Sequence, residues 1–357
     1  MTRAVHQLLP DFAAGDAIGA ITLETRAMLR AMGFASEIYA DVIDERLLHA
    51  ARRARELPAD LHRDDAVIYH CSIGSRLAGM VARLPLPTMM LYHNITPAAF
   101  YRDTNPRIAV LLEQGREQLA TLVPRVDMCA GVSEFNVEEM RLLGARRCAV
   151  VPPLVDLRRL RPRPSTPQQP PLLVFVSRVA PNKRHDDLIR ALAALRATAQ
   201  PDARLAIVGR FTDTEDYVDS LRALSRDLGV EDAVDWLGRL DDAAVGDVYA
   251  RASAYVCASE HEGFCVPLLE AMAFDVPIVA YAAGAVPDTM DGAGVLLRSK
   301  DPLLWAAALD RVIGDRSLRA TLAAAGRRRL QDFTPDAVRA RLAAALRAIG
   351  VIPENAL

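Results

Sequence analysis

Residues 259–273 read SEHEGFCVPLLEAMA and carry two carboxylates, Glu262 and Glu270, in a strand-to-helix transition. Just upstream, Tyr255-Val256-Cys257-Ala258 is a short apolar run that reads as a buried strand. Ser259 to Val266 is a polar loop containing Gly263. Pro267 stands where a helix starts, because proline at the first helical position gives up no N–H that the helix needs. Leu268 to Ala273 are good helix formers. A strand, a loop and a helix N-terminus in that order make a place for an anion, since free backbone N–H groups and the helix dipole both face it. Gly263 lets the backbone approach a ligand closely. Two carboxylates would repel a phosphate laid on them, so they suit neutral hydroxyls beside the anion, as hydrogen-bond acceptors. An acidic first turn that stabilises only its own helix is the plainer alternative.

Composition sets the limits around this stretch. The chain has 357 residues, enough for about two domains. Apolar residues make up 51% and charged residues 25%, the balance of an ordinary globular protein. A formal charge of −2 gives no electrostatic case for a nucleic-acid partner. The five cysteines form no C-x-x-C pair and sit mostly among apolar neighbours, which predicts reduced, buried thiols. Cys265 lies in the key loop and is expected to pack there rather than react. No apolar run reaches the roughly 18 residues of a spanning helix, and MTRAVHQLLPDFAAGDAIG has no signal-peptide core. The expectation is a cytoplasmic protein, with peripheral contact at the inner face of a membrane and the oligomeric state left open.

Along the chain, strands and helices alternate. Ala4 to Leu9 reads as the first strand, Pro10 to Gly19 as a glycine-bearing loop, Ala20 to Met32 as a helix stopped by Gly33, and Ser36 to Ala40 as the next strand. Ala66 to His70 and Thr88 to His93 are strands that each end in a histidine. Ser133 is a helix cap following the strand that begins at Met128. Arg158 to Pro171, RRLRPRPSTPQQPP, is a proline-dense linker expected to be extended and stiff. With Arg141, Arg146 and Arg147 it makes a basic cluster, either a solvated surface or a contact for anionic lipid headgroups or an acidic acceptor. Leu172 to Val176 is a continuous apolar run typical of a buried parallel strand. The loop after it, SRVAPNKRH, places Arg178 and Lys183 before a helix. Fixed cations there would stabilise the charge of a departing diphosphate.

The E-x7-E spacing, with Gly-Phe after the first Glu, Pro three residues before the second and Ala-Met-Ala after it, resembles retaining glycosyltransferases of family four. That family has the GT-B fold, two Rossmann-like doubly wound α/β domains facing across a cleft. The resemblance implies an acceptor-side domain over 1–160, a nucleotide-sugar domain over 161–334, and a last helix over 335–357 that crosses back to the first domain. The linker and that helix would be the two crossings, and the hinge of a closing cleft. By the same resemblance Glu262 faces the donor sugar and Glu270 holds the nucleotide ribose, with Gly263, Phe264, Cys265 and Val266 lining the donor between them. SRVAPNKRH is similar to the family's phosphate loop, which assigns Arg178 and Lys183 to the diphosphate; Arg184 stands where glycine is usual, so the turn there is left open. Arg239 and Leu240 fall where the family's backbone meets the base. Gly15 and Asp16 fall in the loop that approaches the donor phosphate, with a simple tight turn as the alternative. YHNITP resembles the segment carrying an active-site histidine, which assigns His93; His70 is taken as structural. Ala283 to Asp288 resembles the family's GG-x-P-E turn, with Ala285 and Asp288 as departures.

The resemblance thus implies a retaining enzyme that moves a sugar from a nucleotide-diphosphate sugar to a glycan or lipid-linked acceptor, in surface polysaccharide synthesis. GDP-mannose is the favoured donor and a UDP-sugar the next. The sequence has no D-x-D, so neither a metal nor another cofactor is expected; the cations and the helix N-terminus would do that work. The competing readings are a GT-B epimerase or phosphorylase and a non-catalytic sugar-nucleotide-binding subunit.

Overall fold

The computed structural model describes residues 3–352 apart from 14, 168, 212 and 213. Ala14 of the first loop, Gln168 of the linker and 353–357 of the last segment therefore lie outside the described residues. The chain divides into two compact units. One comprises Met1–Ala98, Arg107–Val155 and Phe333–Leu357; the other comprises Ala99–Pro106 and Asp156–Asp332.

The first unit is built on seven strands: β1 Val5–Phe12, β2 Ile38–Ile43, β3 Arg52–Arg53, β4 Ala66–Cys71, β5 Thr88–Tyr92, β6 Met128–Gly131 and β7 Cys148–Val150. Their order is 3-2-1-4-5-6-7 and each pairing is parallel. Parallel neighbours need crossovers, and the helices that make them cover both sheet faces. That is why β1, β4 and β5 are almost wholly buried. The order reverses between β1 and β4, where adjacent connections leave in opposite directions and open a crevice at the carboxyl ends. The closing helix Pro335–Ala348, capped by Thr334, packs on β6 and β7 of this unit.

The second unit repeats the plan with six strands: β8 Leu172–Val176, β9 Arg204–Val208, β10 Val234–Gly238, β11 Ala254–Cys257, β12 Ile278–Tyr281 and β13 Val295–Leu297. The order is 10-9-8-11-12-13, again parallel throughout. Val174 lies between Ala206 of β9 and Tyr255 of β11, so the reversal falls between β8 and β11.

Three local expectations change. The first strand runs on through Pro10 to Phe12, and the helix after it, Ala17–Ala31, already includes Gly19. Beyond Leu8, β1 pairs only with β2, so the N–H that Pro10 lacks can face the unpaired side. The linker is not extended throughout: Leu157–Leu160 is a 3-10 turn capped by Asp156, and Leu160 is buried. Gly246 permits this, since a Cβ there would lie 2.2 Å from the Leu160 carbonyl oxygen. Finally, Ala99–Pro106 belongs with the second unit, so the chain passes between units at more places than the two crossings expected. Among the described residues no helix is long and apolar enough to cross a membrane.

Candidate active site

In the second unit, the two loops that flank the order reversal carry the charged groups. The loop after β8 ends in the short turn Pro181–Lys183, and the Lys183 Nζ donates to Glu262 Oε1 at 2.7 Å. The two side chains are 17% and 10% exposed. Burial alone would push the Lys183 ammonium down, but Glu262, with Cys265 and Cys257 nearby, more than offsets it, and the pKa is raised. Lys183 therefore stays charged at neutral pH beside a carboxylate.

The turn after Lys183, left open by the sequence, is left-handed. Arg184 has φ 53°, ψ 51°, a conformation that favours glycine. Its guanidinium is held by Asp186 at 2.7 Å, Glu260 at 2.8 Å and Asp187 at 3.3 Å. The arginine thus keeps the turn that a glycine would make and ties it to the neighbouring loop.

Arg178 is exposed, and its Nη2 donates to Tyr101 Oη at 3.0 Å. Tyr101 in turn donates to Asn182 Oδ1 at 3.2 Å. Asn182 Nδ2 donates to the His261 carbonyl at 3.2 Å, and Glu260 N–H donates to the Asn182 carbonyl at 2.9 Å. Asn182 is buried, so this one residue locks the phosphate-type loop to the Glu262 loop. On the other side of Glu262 lies Gly284, with φ 55°; a Cβ there would fall 2.6 Å from the Glu262 carbonyl oxygen. Ala285 N–H donates to that same oxygen at 2.9 Å. The position of Glu262 is set by backbone contacts on both sides.

Glu270 sits on the helix Val266–Ala273 and is buried. Tyr249 Oη donates to its Oε2 at 3.0 Å and Arg159 Nη2 donates to its Oε1. Burial pushes its pKa up, while Arg159 and Tyr249 oppose that shift. Phe264 is buried, and its carbonyl accepts from Thr289 Oγ1 at 2.6 Å, which fixes the loop between the two glutamates. Cys265 caps the helix in a left-handed conformation, φ 70°, and Val266 begins the helix. Cys265 is buried and free, as expected of a packing residue. Its hydrogen bond to Cys257, together with burial, holds its thiol well above the usual range. Cys257, Glu262 and Cys265 bring three potential metal-ligand atoms within 4.8 Å of one another. Within the chain, Glu262 already receives the Lys183 ammonium. Arg239 and Leu240 follow the edge strand β10 at its carboxyl end, after Gly238 at φ 64°.

In the first unit, Gly15 has φ 74° and Asp16 caps the helix Ala17–Ala31, accepting from Ile18 N–H at 3.0 Å. The Asp16 carboxylate also accepts from Gly19 N–H at 3.4 Å, so it engages two of the free amides of that helix's first turn. His93 follows β5, its ring nearly parallel to that of His70 and meeting it edge to edge, with centroids 5.1 Å apart. Burial pushes its pKa down to about 4. Ser133 is a helix cap that accepts from Asn136 N–H at 3.4 Å. The basic cluster is largely paired: Arg141 with Glu134, Arg158 with Asp156, Arg159 with Asp242 and Glu270, and Arg163 with Asp247.

Lys183, Glu262, Glu270 and the residues between the glutamates thus come together in one unit, with Arg178 beside them through Tyr101. Four partners were not assigned from the sequence: Tyr101, Asn182, Arg159 and Tyr249. Asn182 lies inside the quoted loop and could have been suspected, since buried polar side chains next to a charged loop need partners. Arg159 and Tyr101 carried no local signal, because their partners are distant in sequence.

Three comparisons point to a glycosyltransferase likeness. Residues 157–329 match the family described as Glycosyl transferases group 1. The fold is GT-B, shared with solved glycosyltransferase structures over nearly the whole chain. Sucrose-phosphate synthase from Thermosynechococcus elongatus superposes with TM-score 0.76 at 17% identity, covering 98% of this chain and 99% of that one. Anabaena Alr3699/HepE, solved in complex with UDP and glucose, superposes with TM-score 0.74 at 18% identity, covering 97% and 100%. Among curated relatives, the D-inositol 3-phosphate glycosyltransferase of Kineococcus radiotolerans is 33% identical over 244 residues, 61% of this chain and 56% of that protein. The enzyme of the same name from Salinispora arenicola is 35% identical over 212 residues, 53% and 47%. The matches span about half the length of these relatives.

Proposed function

We propose that the protein is a retaining glycosyltransferase that moves a sugar from a nucleotide-diphosphate sugar to a hydroxyl acceptor. The observation that carries this is the Lys183–Glu262 pair at the β8/β11 reversal, with Glu270 on the helix that follows. A diphosphate entering this site competes with Glu262 for the Lys183 ammonium. Once Lys183 turns to phosphate, the Glu262 carboxylate is free to accept hydrogen bonds from sugar hydroxyls. Arg178 supplies a second cation for the developing charge on the leaving group. Arg159 and Tyr249 use about two of the roughly four acceptor positions of Glu270, which leaves others for ribose hydroxyls.

With Glu262 engaged by sugar hydroxyls rather than aimed at the anomeric carbon, the reaction runs as front-face displacement rather than through a covalent intermediate. The anomeric C–O bond to phosphate breaks, the acceptor oxygen bonds on the same face, and its proton passes to the departing phosphate. The cations of the chain serve the diphosphate without a metal. UDP-sugars are the first donors to test, because UDP and UDP-glucose are the ligands named for the Anabaena protein; GDP-mannose is the second. An inositol phosphate is the first acceptor to test, following the names of the curated relatives; a lipid-linked glycan is the second.

The test is nucleotide release from UDP-glucose, UDP-galactose and GDP-mannose, with and without each acceptor and with chelator present. Acceptor-dependent release and an unchanged anomeric configuration by NMR are expected. Donor binding without release under any condition would instead make the chain a binding subunit. Acceptor-independent conversion to an epimeric sugar would make it an epimerase.

A further inference from the structure

In the first unit, Gln7 of β1, His70 near the carboxyl end of β4 and His93 just after β5 form a hydrogen-bonded array that the proposed chemistry has not used. Gln7 Nε2 donates to the Thr22 carbonyl at 3.0 Å, which turns Gln7 Oε1 towards His70 Nε2, 2.9 Å away. An amide oxygen can only accept, so His70 Nε2 carries a proton. His70 Nδ1 lies 2.9 Å from His93 Nε2. Gln7 and His70 are fully buried, and burial disfavours a charged His70, so its Nδ1 is an acceptor and His93 Nε2 must donate.

We infer that Gln7 and His70 are positioning residues that fix His93 as a neutral Nε2–H imidazole, with a bare Nδ1 lone pair for substrate. Such a nitrogen accepts a hydrogen bond. It pairs with a hydroxyl of a sugar or polyol and cannot pair with an ionised phosphate oxygen, which has no proton to give. His93 therefore recognises a hydroxyl rather than the diphosphate. Its place as a substrate contact rests on the glycosyltransferase reading; the direction of the relay does not.

Long-range proton–nitrogen NMR of protein labelled with 15N-histidine reads the tautomers directly. At about pH 7 both rings are expected as Nε2–H species. His70→Leu should release His93 into a mixture of tautomers, whereas His70→Asn, which keeps an acceptor near the Nδ1 position, should restore it. In the release assay with UDP-glucose and GDP-mannose, His70→Leu should lower kcat by about tenfold or more with little change in KM, and His70→Asn should recover most of the loss. A wild-type His93 found as Nδ1–H or cationic, or unmoved by His70→Leu, would overturn the relay. Full turnover by His93→Ala would overturn its substrate contact. Absence of turnover in the wild type would count against the glycosyltransferase reading alone, because the tautomer spectrum is read without substrate.

Discussion

The Lys183–Glu262 pair makes a quantitative prediction. At 2.7 Å and an effective dielectric near 20, the attraction is on the order of 6 kcal/mol before desolvation is counted. Desolvation of two mostly buried charges removes a large part of that. Deleting one partner is costlier than deleting both, because the survivor is left buried without its counter-charge. Lys183→Met should destabilise by about 3 kcal/mol and Glu262→Gln by about 2 kcal/mol. The double variant should lose only about 1 kcal/mol, less than either single variant, a coupling of about 4 kcal/mol. Both tryptophans, Trp236 and Trp305, lie in the second unit, so fluorescence-monitored urea unfolding reports on the unit that holds the pair. The ligand arm has opposite signs for the two variants. Lys183→Met should weaken UDP binding more than tenfold, roughly 1.4 kcal/mol or more. Glu262→Gln should spare or tighten it, since UDP no longer competes with a carboxylate for the ammonium. Because the Lys183 pKa is raised on folding, its contribution is complete below the unfolded value of about 10.4 and disappears as pH rises through the folded value. Additive single variants, or equal losses of UDP affinity in calorimetry, would refute the competition between phosphate and Glu262.

Three further outcomes rest on the same geometry. Arg184→Gly and Arg184→Ala lose the same ion pairs, but only glycine relieves the left-handed backbone at φ 53°, so the glycine variant should unfold at higher urea, by about 1 kcal/mol; an alanine variant of equal stability would remove the strain from the account. Gly284→Ala places a Cβ 2.6 Å from the Glu262 carbonyl at φ 55°, and should cost about 2 kcal/mol and impair use of the intact donor more than binding of UDP, as calorimetry with each ligand would show. His185, buried beside Phe175, is pushed down to about 3 by burial, with Lys183 adding to the shift. Its unfolded form takes up a proton first, so stability should fall by about 1.4 kcal/mol per pH unit as pH drops from about 6.5 towards 3, and His185→Leu should flatten that slope in acid unfolding curves.

Much of this protein was legible in its sequence. The continuous apolar runs at Leu172–Val176 and Tyr255–Ala258 read as buried strands, and as parallel neighbours they place the polar loops that follow them at one sheet edge. That placement puts Arg178, Lys183 and Glu262 in neighbouring strand-end loops and Glu270 on the helix that follows the second of them; their roles came from the family resemblance. The left-handed turn at Arg184 was not legible: a charged side chain in a glycine position is explained only by the three carboxylates folded around it. Nor could local patterning join Tyr101 to Arg178, Arg159 to Glu270, or His70 to His93. Each of those bonds links residues 23 or more positions apart. Sequence periodicity fixes which face a side chain takes on its own strand or helix. Which two faces then meet, and so which buried polar groups find partners, is decided when the sheets assemble and water is excluded from the loops between them.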